Sequence, residues 1–244
     1  MIRVVSAEVL KLRTTRTFYA LMGTALGLVM LAVVLPLAIE SDFASEDEVR
    51  SVLSSAGLAG LIALILGVVF SAGEYRHGTI AWTLLVTPAR LRVAAGQAIA
   101  CAVAGAAVAG IAAAFTAVVA LPWLSAKDAP SLSGGELLGI FLGGILYGAL
   151  AGAFGAGLGA LLRNQVVAVV LVLVVLFVVD PTLIALVDGY DRFSLSGLGN
   201  SISGGSEEDF DSDLLPFWAA SLVWAAYTAV LVGAAALLTS RRDI

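Results

Sequence analysis

Reactive side chains are scarce in this sequence, and the scarcity excludes most chemistry before any fold is considered. His77 is the only histidine and Cys101 the only cysteine of 244 residues. One chain can therefore build neither a disulfide framework nor a His/Cys metal cluster. A Ser or Cys nucleophile in the apolar segments has no histidine to serve it, and no paired-Asp motif is present for metal–phosphate chemistry. The P-loop pattern, Gly-x-x-x-x-Gly-Lys followed by Ser or Thr, is absent, so the chain has no such loop to cradle nucleotide. The expectation is a protein that is not an enzyme. What stands out instead is one charged and patterned run, residues 73–92, holding Glu74, Arg76, His77, Arg90 and Arg92 around an apolar stretch.

That run carries helix punctuation. Gly78-Thr79 starts a short helix with Thr79 as N-cap, Ile80–Val86 supplies its apolar face, and Pro88 stops it. Thr87-Pro88 then opens the next helix, with Thr87 as N-cap and Pro88 at its first position. The pattern predicts a short amphipathic helix lying across the ends of two longer ones.

The longer elements follow from composition. The chain is 60% hydrophobic and 13% charged, with a mean hydropathy of +1.03, so its solvent is lipid. A crossing takes roughly 20 apolar helical residues. Segments 18–39, 52–72, 93–121, 137–162 and 214–240 contain no Asp, Glu, Lys, Arg or His and are long enough. A sixth run, 164–179, is short, but only its crossing keeps the flanking loops on sides that match their charges. No period-two alternation supports a barrel. The expected fold is all-α with six transmembrane helices in a single domain. The first run is too long for a signal peptide and no small-x-small cleavage site follows it, so Met1 is expected to remain.

The formal charge of −5 is the sum of two opposed halves. Segments 1–17, 73–92, 163–165 and 240–244 hold ten of the thirteen basic residues against Glu8, Glu74 and Asp243. Segments 40–51, 122–136 and 180–213 hold the remaining three against fifteen carboxylates. The Lys/Arg bias predicts a cell (cytoplasmic) membrane protein with both termini in the cytoplasm. Residues 1–17 read as an interfacial helix, with Ile2, Val5, Val9 and Leu12 on one face and Arg3, Lys11 and Arg13 around the others.

Glycines recur at four-residue steps: Gly135, Gly139 and Gly143; Gly144, Gly148 and Gly152; Gly155 and Gly159. Such a stripe lets another helix approach closely, in this chain or in a second copy. No ionisable residue lies in the five long runs, which speaks against proton relays. Asp180, followed by Pro181, reads as a helix-end residue at the outer boundary. Residues 201–213 read as a flexible solvated loop.

The string Glu74-x-Arg76-x-Gly78-Thr79, Leu84-Leu85 and Thr87-Pro88-x-Arg90 resembles the motif after the second span of type 2 ABC exporter permeases. Glu8-x-x-Lys11-x-Arg13-x-x-Arg16 resembles that family's opening. The resemblance covers nearly the whole chain. It implies a half-transporter that pairs with a second permease, a copy or a similar chain, and with separate ATP-binding subunits that hold ATP and Mg. No nucleic acid partner is implied. The helix within 73–92 would be the coupling helix. Ile80, Trp82 and Leu84 would be its anchors, Glu74, Arg76 and Arg90 its charged contacts, and Thr79 and Pro88 its start and stop. The last outer loop departs from the family by being acidic and Gly/Ser-rich rather than clearly helical, although residues 182–187 could form one short piece. An alternative reading is a membrane scaffold or immunity-type protein. The cargo is not encoded legibly; an apolar interior suits a hydrophobic or amphipathic one.

Overall fold

A computed structural model describes residues 1–40, 42–86, 89–205 and 214–241, and every regular element among them is helical. In chain order the α-helices are α1 (Ile2–Thr14), α2 (Arg16–Ile39), α3 (Glu46–Ser54), α4 (Leu58–Arg76), α5 (Thr79–Val86), α6 (Arg90–Ala126), α7 (Gly134–Leu162), α8 (Gln165–Val174), α9 (Asp180–Leu186), α10 (Leu195–Ser203) and α11 (Phe217–Arg241). A single 3₁₀ turn joins α3 to α4, and a π-helical turn, Val175–Val179, joins α8 to α9. Six of the resulting rods are long and apolar enough to cross a membrane, among the described residues: Arg16–Ile39, Glu46–Arg76, Arg90–Ala126, Gly134–Leu162, Gln165–Leu186 and Phe217–Leu238. This is the architecture of a multi-pass membrane protein.

The short run 164–179 extends further than its charges imply, as the rod Gln165–Leu186. Pro181 does not end it, because the π turn lies before it and the proline falls at the start of α9, where its missing N–H is not needed. Asp180 is accordingly not a solvated helix end. It is 1% exposed and accepts hydrogen bonds from Tyr190 Oη at 2.9 Å and from Ser196 N and Oγ at 3.0 Å each.

The centre of the bundle is α7, packed on α4, α6 and α11. Its glycines are the reason it can sit there. A methyl group on Gly155 would overlap the Leu64 carbonyl oxygen of α4, one on Gly152 the Cys101 carbonyl of α6, and one on Gly148 the Cβ of Ala109 and the carbonyl of Gly105. Gly159 is also close to the α4 backbone, an added Cβ standing 2.7 Å from the Val68 carbonyl oxygen and 3.1 Å from Ala72 N. Backbone-to-backbone contact replaces the hydrophobic drive that lipid removes. The partner of this part of the stripe is therefore within the chain. Gly144 is buried with no atom within 4 Å of an added Cβ, Gly143 abuts Ile202 of α10, and Gly139 faces open space. On the α11 side, Trp224 is fully buried and meets the Tyr147 ring edge-on at 5.3 Å between centroids.

Contacts sort the connections onto two ends. At the acidic end, Ser45 and Glu48 form a capping box on α3, Ser133 and Glu136 form one on α7, and Arg50 meets Glu136 at 2.8 Å. Lys127 donates to the Glu40 carbonyl and lies over the Phe43 ring. Much of the loop expected over 180–213 is helical: α10 folds against α7 and α11, a 3₁₀ turn at Asp191–Phe193 rests on α11, and α9 meets that turn. Residues 201–203, expected in a flexible loop, end α10, with Ile202 1% exposed; residues 206–213 lie outside the described ones. The basic end gathers α1, α5 and the neighbouring ends of α4, α6 and α11.

Candidate functional site

The run 73–92 closes the basic end. Tyr75 and Arg76 finish α4, and Gly78 turns the chain with φ +68°, a left-handed conformation that costs glycine little. Thr79, expected as N-cap, is instead the first helical residue of α5. Its hydroxyl donates backwards to the Glu74 carbonyl at 3.3 Å, so it ties off α4. Ile80 is 5% exposed and pins α5 inward, whereas Trp82 and Leu85 are each 74% exposed. Of the expected anchors, Ile80 thus faces the bundle and Trp82 faces out. The Leu84 side chain, Thr87 and Pro88 lie outside the described residues. Arg76 is exposed. Arg90 begins α6 and is half-buried beside Tyr75, Ile80, Gln97 and Ala235.

Glu74 is the largest correction at the site. Expected as an outward contact, it is 6% exposed and points into the bundle. Lys11 Nζ donates to Glu74 Oε1 at 2.8 Å, to Glu8 Oε1 at 2.7 Å and to Thr83 Oγ1 at 3.3 Å. The other Glu74 oxygen, Oε2, accepts from Gln97 Nε2 at 2.6 Å, and Ser71 Oγ donates to Gln97 Oε1 at 3.3 Å. One ammonium thus joins α1, α4 and α5, and one amide extends the network to α6. Lys11 was expected on the outward basic face of an interfacial helix. Instead α1 packs on α6, with Glu8 at 1% and Leu12 at 3% exposure turned inward, while Leu10 is exposed.

Two carboxylates and one cation make a charge-rich core. Burial, and then the Glu74 carboxylate, raises the Glu8 carboxyl above its ordinary 4.5, with Lys11 pulling the other way. Burial lowers the Lys11 ammonium, but its hydrogen bonds to Glu74 and Glu8 outweigh that and hold it above 10.5. Glu8 Oε2 is buried without a hydrogen-bond partner. Beside the cluster a cavity of about 640 Å³ lies between the α1–α2 elbow, α4 and the start of α8, with Phe18, Leu21 and Phe70 on its apolar wall and Lys11, Glu74 and Gln165 on its polar one.

Sequence reasoning missed Gln97, Ser71 and Thr83. The available signal was an amide in the otherwise apolar run 93–121, since a polar side chain at such a position needs a partner. Comparison with known proteins adds no relative: no family model matches the chain, and no curated protein matches its sequence.

Proposed function

We propose that this chain is the permease subunit of an ATP-driven ABC exporter, working as a pair with a second permease and driven by separate ATP-binding subunits on the cytoplasmic side. The observation that carries the reading is α5. It is a short helix held between two spans, with Trp82 and Leu85 presented outward and Ile80 and the Glu74–Lys11 network holding its inner side. Exposed aromatic and aliphatic anchors beside charges such as Arg76 suit a protein interface. The motif residues around α5 and the Lys/Arg bias of this end support the same assignment.

Under this reading the helices around α5 carry its displacement. A push on α5 acts on α4 through the Gly78 turn and on α6 through the Ile80 contact. Both spans lie backbone-close to α7 at Gly148, Gly152 and Gly155, so displacement passes into the bundle core. The amphipathic cavity at the same end suits a cargo with an apolar body and a polar group.

The test is purification of the chain with its ATP-binding partner. A complex whose ATPase rate rises on assembly, and which moves cargo only with hydrolysable ATP, is expected. A stable complex indifferent to nucleotide would overturn the reading in favour of a scaffold.

A further inference from the structure

We infer that Lys11 is a positioning residue that locks the N-terminal helix α1 to α4, α5 and α6, so that the four move together when α5 is displaced. Three donors of one ammonium reach three acceptors on three elements: Glu8 on α1, Glu74 on α4 and Thr83 on α5. Gln97 extends the same cluster to α6 at 2.6 Å. The lock is asymmetric in charge. Glu8 and Glu74 are both buried and share Lys11 as their salt-bridge partner. Withdrawing the cation leaves two buried carboxyls facing each other across the α1–α4 contact without the donor they share, so one must take up a proton or the helices must part, and either loosens the contact. Apart from this cluster α1 rests on α6, where Val4 is seated over Gly96. The consequence for coupling rests on the proposed function; the lock itself does not.

The Val4–Gly96 contact supplies a reporter. A Cβ on Gly96 stands 3.6 Å from Val4 Cβ, within the range of about 3.5–4.5 Å that a disulfide spans. Full-length chain in membranes, carrying Val4→Cys and Gly96→Cys with Cys101→Ser, should cross-link readily. Adding Lys11→Met should slow cross-linking at least about ten-fold, and Lys11→Arg, which keeps the charge, should restore most of the rate. An unchanged rate with Lys11→Met would overturn the lock. Should that variant not accumulate, Lys11→Met with Glu8→Gln, which removes one buried charge, is read the same way.

In the complex with the ATP-binding partner, Lys11→Met should lower transport per ATP hydrolysed. The oxidised cysteine pair should return it towards wild type, and reduction should abolish the rescue. Slow cross-linking with unchanged coupling would overturn the concerted motion and leave the proposed function standing. A wild-type chain with no ATP-driven transport would overturn the proposed function, and the cross-linking rates would still decide the lock.

Discussion

The two ends of the bundle satisfy their carboxylates differently. At the acidic end, where most of the carboxylates of the described chain lie, Glu48 and Glu136 cap their own helices, the half-exposed Glu136 pairs with Arg50, and the buried Asp180 accepts from the neutral donors of Tyr190 and Ser196. At the basic end only Glu8 and Glu74 carry negative charge among the described residues, yet both are buried and joined by one lysine. The surface charge of that end finishes helices, and its buried Asp180 is met by neutral donors. Sparse buried charge binds helices to each other, because each group must find a partner or pay desolvation in full.

The sharpest way to break this contrast is to remove one cation at each end. Lys11→Met should destabilise the folded chain by about 2–3 kcal/mol, below the ~3–5 typical of breaking a fully buried pair. The reduction reflects the Lys11 side chain being 39% exposed. Arg50→Gln should cost less than about 1 kcal/mol, since the carboxylate it leaves, Glu136, is half-exposed and still held by Ser133. Thermal denaturation of both variants in one detergent checks this; equal shifts would erase the distinction. Between them lies Ser133→Ala, which removes the acceptor for the Glu136 N–H at 3.3 Å and should cost about 1 kcal/mol.

Acidity sharpens the comparison further. Glu8 and Lys11 both hold their protons more tightly in the folded chain than free groups do. Their contribution is therefore complete below the ordinary values and is lost as pH rises through the raised ones. For Glu8 the loss begins above 4.5 and for Lys11 above 10.5. As pH rises above 4.5, wild type should lose more thermal stability than Glu8→Gln, and both should fall further as it rises above 10.5. A wild-type midpoint that rises over the lower window relative to Glu8→Gln would contradict the cluster.

Five spans were legible as charge-free runs, because in lipid the absence of charge is itself the signal. The sixth was legible only in part. A proline ordinarily stops a helix, and the π turn that lets the rod run on to Leu186 leaves no mark in sequence. The glycine spacing announced a close-packed face, but the choice between an internal partner and a second copy depends on where α4 and α6 lie. In α10, Gly197 and Gly199 looked like loop composition; they are there because the Asp191 backbone and the Tyr147 ring press against them. At the candidate site the charged motif was visible and its direction was not. Glu74 meets partners 63 and 23 residues away in the chain, and local patterning carries no record of such distances.

The central claim is that α5 passes an ATPase's motion to the spans. Its most direct test is transport and ATP hydrolysis in purified complexes at equal assembly, comparing wild type with Trp82→Ala and Leu85→Ala together. These two side chains each stand 74% exposed, outside the buried core. The expected result is a complex that dissociates more readily and a loss of ATPase stimulation and transport of at least about ten-fold, consistent with removing interface anchors. Stimulation and transport equal to wild type would contradict the claim and leave α5 a surface helix of the bundle.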